Sequence, residues 1–218
     1  SNPEFAKKAR LIRNHGESVP DDTWDEGSLV NLVGMNFRMT ELTAALGIAQ
    51  LDKLDENNRV RSKNRSYLSE QLAGLPGLRT CSFKDEEVPH VFPMIYDGNE
   101  TGVNRAKILA ALRAEGIPVG SGYLRLMYEN PIFLRKVAYG DKQCPWSCHL
   151  YGRSREYGRG DCLTAERLIN DKFIWFYHIN RPNTLEDMDD VAKSFKKVFS
   201  NLEKLKDAEI ETRIGYKW

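Results

Sequence analysis

Val33-Gly34-Met35-Asn36-Phe37-Arg38-Met39-Thr40-Glu41-Leu42-Thr43-Ala44-Ala45-Leu46-Gly47-Ile48-Ala49-Gln50-Leu51 is the stretch whose reading decides the fold. It reads as a polar loop feeding a buried helix. Gly34 permits an unusual backbone angle, Asn36 and Arg38 put an amide and a guanidinium just ahead of the helix start, and Thr40 and Glu41 supply an N-cap and a first-turn acid. Leu42, Ala45, Leu46 and Ala49 then recur at i, i+3, i+4 and i+7, which makes one apolar face. A loop offering an amide, a guanidinium and helix N–H groups suits a phosphate. An ordinary surface loop capped by Thr40 fits the same residues, and on their own they leave that alternative open.

Arg13-Asn14-His15-Gly16, followed after a loop by Gly34 to Leu42 and by Ala44-Ala45-Leu46-Gly47, resembles the DegT/StrS family of pyridoxal-phosphate-dependent sugar aminotransferases. The resemblance runs, with a weaker interval, from Ser1 to about Leu205. It implies an α/β protein with an α+β C-terminal portion: the end of the large domain plus the small domain of a fold-type I transferase. Residues 1–51 would close the cofactor-binding domain and carry the dimer-contact loop and helix, 52–76 would be a bridging helix, 77–206 the small domain, and 207–218 a tail. In that family the Asn-aromatic-Arg tripeptide reaches the cofactor phosphate and active-site mouth of the neighbouring subunit, which gives those roles to Asn36 and Arg38 in a homodimer.

The implied reaction moves an amino group from glutamate or glutamine to a keto-sugar or keto-cyclitol, with pyridoxal 5'-phosphate as cofactor. The family's Schiff-base lysine falls upstream of the counterpart of Ser1, and no lysine in 1–218 stands in a matching strand-to-loop context. The expectation is therefore a part of such an enzyme, catalytically inactive alone and with no catalytic residue of its own. Two alternatives stay open: a non-catalytic dimerisation or binding module derived from the family, and a related sugar dehydratase that uses the same cofactor with His in place of Lys.

Composition narrows the setting. The chain has 218 residues and a net charge of +1, with acids and bases interspersed, so nothing calls for a nucleic acid or an anionic membrane as partner. No apolar run approaches the ~18 residues of a spanning helix, and no signal peptide is visible. Four cysteines at irregular spacing do not read as a disulfide framework, so the expected compartment is a reducing cytoplasm.

Along the chain, Asn2 or Ser1 caps a first helix with Pro3 at its opening position and Phe5, Ala9 and Ile12 on one face. With no preceding element for that face to pack on, an N-terminal portion is expected to be missing from the sequence. Glu17 to Leu32 reads as loop around Trp24. A long polar helix follows from Asp52 to Leu72, ended by Gly74, Pro76 and Gly77. Val91 to Tyr96 reads as a strand that Pro93 confines to an edge or a bulge. Asn104 caps a helix facing inward through Ile108, Ala111 and Leu112, Gly116 closes it, and Ile117-Pro118-Val119 begins another strand. Thr164 opens a short helix leading to the apolar run Phe173 to Ile179. Thr184 and Asp187 form a capping box before a helix with apolar period through Leu205.

Gly120 to Cys162 holds the remaining chemistry. Tyr123, Arg125 and Tyr128, together with His15, are the candidate substrate-binding residues, although His15 at a helix end also suits a capping role. Many sugar-nucleotide members of the family carry histidines near the places of Tyr123 and Tyr128, and this departure leaves room for a keto-cyclitol. Zinc ligation by Cys144, Cys148, His149 and Cys162 fits no common finger or ribbon spacing, so incidental thiols are the expectation and no metal is assigned. Arg153, Arg155 and Arg159 read as solvated or as phosphate ligands. His178, alternating with Ile174 and Phe176, reads as a satisfied core histidine.

Overall fold

The structure is a computed structural model that describes residues 2–13, 35–84, 87–122, 126–136, 144–146 and 148–209. His15, Trp24 with its loop, Gly34, Tyr123, Arg125 and the tail after 209 lie outside the described residues. The chain divides into two compact units, Ser1–Asp55 and Glu56–Trp218.

In the first unit α1 spans Pro3–Arg13 and begins as expected, the Asn2 carboxamide oxygen accepting from the Glu4 N–H at 3.0 Å. Its inward face differs from the expectation. Phe5 is 71% exposed and Ile12 is also exposed, whereas Leu11 is buried. The second helix, α2 (Glu41–Leu51), starts at Thr40, whose hydroxyl accepts from the Thr43 N–H. It is apolar on every side yet uncovered, with Leu42 83% exposed, so the expected burial is not met within this chain.

The division at Asp55 falls in the first turn of α3 (Leu54–Gln71), and the rest of that helix belongs to the second unit. There β1 (Leu78–Thr80), β2 (Phe92–Tyr96), β3 (Val119–Ser121) and β4 (Phe173–Phe176) form one antiparallel sheet in the order β1-β2-β4-β3. Phe92, Met94 and Tyr96 of β2 and Ile174 and Phe176 of β4 are buried while their alternates are half-buried, so one sheet face is fully covered. The one-turn helices α4 (Gly98–Thr101) and α6 (Pro131–Leu134) also form. Three longer helices cover the face: α3 through Leu68, α5 (Arg105–Ala114) through Ile108 and Leu112, and α8 (Leu185–Phe199) through Met188, Ala192 and Phe195.

Local chemistry sets the helix ends. Asn104 accepts from the Lys107 N–H at 3.0 Å to start α5. At its end the N–H of Gly116 reaches the Arg113 carbonyl and that of Ile117 reaches the Leu112 carbonyl, with Gly116 at φ +85°. Both halves of the Thr184–Asp187 capping box form. The last helix does not run unbroken to Leu205: α8 stops at Phe199, the Asn201 side chain takes the Lys197 carbonyl at 2.8 Å, and a short helix resumes over Leu202–Lys206.

Three further differences have physical causes. Pro93 sits in an inner strand, and the sheet tolerates it because the β1 ladder stops at Thr80: Pro93 accepts from the Cys81 N–H at 3.4 Å, and the return bond it cannot donate falls just past the end of β1. The short helix α7 (Leu163–Arg167) starts one residue before Thr164 and passes into a π-helical turn, Leu168–Lys172. His178 is exposed, because β4 ends at Phe176 and a tight turn bonding the Ile179 N–H to the Tyr177 carbonyl puts Ile179 into the core instead. No helix among the described residues is long and apolar enough to cross a membrane.

Asn64 ties α3 to the segment between β4 and α8. It is 1% exposed, and its amide donates to the carbonyls of Ile179 at 3.1 Å and Asn183 at 3.0 Å. Asn64→Ala would leave both acceptors without that donor, so it should destabilise the fold by about 2–4 kcal/mol, read as a lower urea midpoint at unchanged slope. A loss within ~0.5 kcal/mol would show that this tie carries no weight.

Candidate functional site

The loop Met35 to Thr40 is held by the end of α1. The Met35 N–H donates to the Ile12 carbonyl at 2.9 Å and the Phe37 N–H to the Arg13 carbonyl at 3.0 Å, which satisfies two carbonyls that the last turn of a helix leaves open. Met35, Asn36, Phe37 and Arg38 are all exposed. The Asn36 carboxamide oxygen accepts from the Arg38 N–H at 3.2 Å, an Asx-type turn that stiffens the tripeptide. With that oxygen occupied, what Asn36 offers a ligand is its NH2 donor. Both side chains are exposed, and α2 begins three residues after Arg38.

Tyr128, in the second unit, stands in a 3-10 turn over Met127–Glu129 and is only 8% exposed. Its hydroxyl donates to Glu166 Oε1 at 2.5 Å, and the Gly160 N–H donates to the same oxygen at 2.7 Å. Burial, reinforced by the neighbouring carboxylate, pushes the Tyr128 hydroxyl well above its ordinary range. The Tyr128 hydroxyl, then the Gly160 N–H, hold the Glu166 carboxyl below its own. Nothing in the sequence singles out Glu166, because its partner lies 38 positions away, a separation that no short-range pattern carries.

Around this pair the chain binds itself. Arg159 donates to Glu129 at 3.0 Å, and Arg155 lies 3.6 Å from Asp161 with its guanidinium 5.5 Å from the Tyr157 ring centre. Phe133, Trp146 and Tyr157 meet edge to face with ring centres 5.2–6.0 Å apart. Cys144 and Cys148 form a disulfide with Cα atoms 4.9 Å apart, which corrects the expectation of incidental thiols for these two. The separation of four residues matches no common framework, so spacing could not reveal it. Cys162 is a free, exposed thiol, and among the described residues no three His, Cys, Asp or Glu side chains gather as metal ligands.

A polar cleft of about 910 Å³ opens beside the start of α5. Two of the cations that line it serve the fold: Arg105 donates to the Ile169 and Phe173 carbonyls at 3.0 and 2.9 Å, and Lys172 pairs with Asp97 at 2.6 Å.

The class of protein follows from this fold and from comparison with known proteins. A model of the DegT/DnrJ/EryC1/StrS aminotransferase family matches residues 1–169, and the chain belongs to that family. Among solved structures it is similar to DesV of S. venezuelae, solved with a ketimine intermediate, at 24% identity over 89% of this chain and 45% of that one, with a TM-score of 0.59. Helicobacter pylori PseC, an aminotransferase of pseudoaminic acid biosynthesis, matches at 22% identity over 92% and 47%, with a TM-score of 0.62. An aminotransferase from Psychrobacter cryohalolentis matches at 16% identity over 93% and 50%, with a TM-score of 0.68. The fold is thus the corresponding part of a fold-type I aminotransferase, and the chain spans about half the length of the structures it matches.

The Tyr128–Glu166 pair has a pH signature. Glu166, depressed when folded, stabilises the fold above its ordinary range and loses that contribution as pH falls through its folded value. Tyr128, raised when folded, contributes below the ordinary tyrosine range and loses it at alkaline pH. In Tyr128→Phe the Glu166 titration, followed by carboxyl NMR, should move up toward the ordinary glutamate value. An unchanged titration would remove the tyrosine hydroxyl as its main cause.

Proposed function

We propose that this chain forms part of a pyridoxal-phosphate-dependent aminotransferase that moves an amino group from glutamate or glutamine to a ketone on a sugar or cyclitol. The observation that carries the reading is the Met35 to Thr40 loop, held to α1 by its backbone, which presents an exposed amide and an exposed guanidinium two residues apart just ahead of a helix within a chain of this family. That donor set fits the phosphate of the cofactor: two nitrogen donors, one permanently cationic, and a helix N-terminus behind them. Pyridoxal phosphate, when bound, supplies the electron sink that lets a proton leave the amino-acid Cα.

The chain's own residues would position and hold. Arg38 would clamp the phosphate with its planar fork, and Asn36 would donate from its NH2 group. His15, Tyr123, Arg125 and Tyr128 would bind the substrate. Tyr128, whose hydroxyl is committed to Glu166, would offer its ring rather than a mobile proton. Residues 1–51 would complete the cofactor-binding domain, and 77–206 would form the small domain. The uncovered apolar surface of α2, with Leu42, Leu46, Ile48 and Leu51 all exposed, supports a homodimer in which the loop serves the neighbouring subunit. The proposed setting is cytoplasmic.

In the intact enzyme Arg38→Ala should weaken cofactor binding by about 1.5–3 kcal/mol, roughly ten- to a hundredfold in Kd, with little change in melting temperature. Mixing this variant with one lacking the Schiff-base lysine tests the sharing directly. If the sites are shared, a fraction of the hybrid dimers carries one site with both defects and one with neither, so activity partly returns. No return despite demonstrated subunit exchange would place Arg38 in its own subunit's site.

A further inference from the structure

Arg65, on α3, is a buried cation, 7% exposed. Among the described residues no carboxylate lies within ion-pair distance of it and its Nη1 has no hydrogen-bond partner. Its other terminal nitrogen donates to the Ser66 hydroxyl at 3.2 Å, and its guanidinium carbon lies 5.3 Å from the Phe83 ring centre. Arg65, Ser66 and Phe83 all line a pocket of about 380 Å³. Ser69 on the next turn of α3 and Ser82 just after β1 add two more hydroxyls, and the exposed Glu70 also borders it.

Burying a guanidinium costs several kcal/mol unless an anion and hydrogen bonds compensate, and unlike lysine it cannot shed its charge to escape the cost. One neutral hydroxyl and one aromatic face compensate in part. What the geometry lacks is an acceptor for the buried Nη1. We propose that this pocket binds a phosphate group, as inorganic phosphate or as the monoester of a small organic molecule. A tetrahedral oxyanion has separate oxygens for the guanidinium and for the serine hydroxyls, whereas a planar carboxylate has only two oxygens and must share them between both. The apolar Phe83 ring leaves a place for an organic substituent, and Glu70 opposes the ligand's charge, which favours a modest affinity. The site is built from α3 and the β1 segment and does not depend on the proposed role of Arg38.

Calorimetric titration and thermal melting of the intact protein, with inorganic phosphate, phenyl phosphate and acetate as probes, test this. Phosphate should bind and raise the melting temperature. Phenyl phosphate binding more tightly than inorganic phosphate would identify a monoester site, and the reverse order a free-phosphate site. Arg65→Met should weaken phosphate binding by about tenfold or more and should melt higher than the parent without ligand, since a buried unpaired charge has been replaced by an apolar chain. Arg65→Lys, which keeps the charge and loses the fork, should weaken it several-fold. Arg38→Ala should leave it unchanged, so a failure at one site is distinguishable from a failure at the other. If Arg65→Met does not fold, the Ser69→Ala/Ser82→Ala double variant decides the matter: loss of phosphate affinity supports the site and full retention overturns it. Absence of phosphate binding, equal binding by the variants and the parent, or tighter binding of acetate than of phosphate would also overturn the proposal.

Discussion

The pairing of β2 with β4 is the constraint on which the second unit depends. These two strands occupy the centre of the sheet, and their alternation supplies most of its fully covered face: Phe92, Met94 and Tyr96 from one, Ile174 and Phe176 from the other. A slip of one residue in that register would turn those side chains to the opposite face. The flanking strands are three residues each, too short to hold a sheet by themselves, and they add to a platform already specified. Gly120 records how tightly β3 is fitted, since a Cβ there would lie 2.1 Å from the Trp175 ring facing it across the ladder. The covering helices dock on the face this pairing creates, and Asn64 then locks α3 to the turn that follows β4.

Much of this is legible in the sequence wherever the cause is local. The caps at Thr40, Asn104 and Thr184 work within three residues, and each forms as expected. The glycine closure at Gly116 and the alternation in β2 and β4 belong to the same class. The features that the sequence does not reveal share the opposite property. Pro93 is tolerated inside the sheet because a different segment stops pairing at Thr80. His178 is exposed because its strand ends two residues before it. The Tyr128–Glu166 pair depends on how the chain returns on itself over 38 positions, and propensity and period hold no information about that. At the candidate cofactor loop, the residue types can be read directly, but the tie to α1 that aims Asn36 and Arg38 cannot, because it is made by backbone groups of Met35 and Phe37 whose side chains carry no mark of it.

The two units distribute polarity in opposite ways. The second buries its apolar residues and binds most of its charges locally, as in the Lys172–Asp97 and Lys197–Glu115 pairs. The first leaves Phe5, Met35, Phe37, Leu42 and Leu46 exposed while keeping a well-capped helix. A helix of eleven residues is marginal in water on propensity alone. An apolar one that is also uncovered gains little from burial within its own unit, and the Thr40 cap is what local support it has.

The extent of the family match bears on the same point. It ends at residue 169, before β4 begins at Phe173, yet the solved structures of the family superpose on about nine-tenths of the chain. One of the two central strands, β4, therefore lies beyond the matched residues, whereas its partner β2 lies inside them. A central strand needs apolar residues at alternate positions and a fixed length, and many side chains satisfy both. The match takes in residues of both kinds, the exposed stretch Asn36 to Thr40 and the deeply buried Phe92, Met94 and Tyr96, so it follows neither exposure nor burial alone.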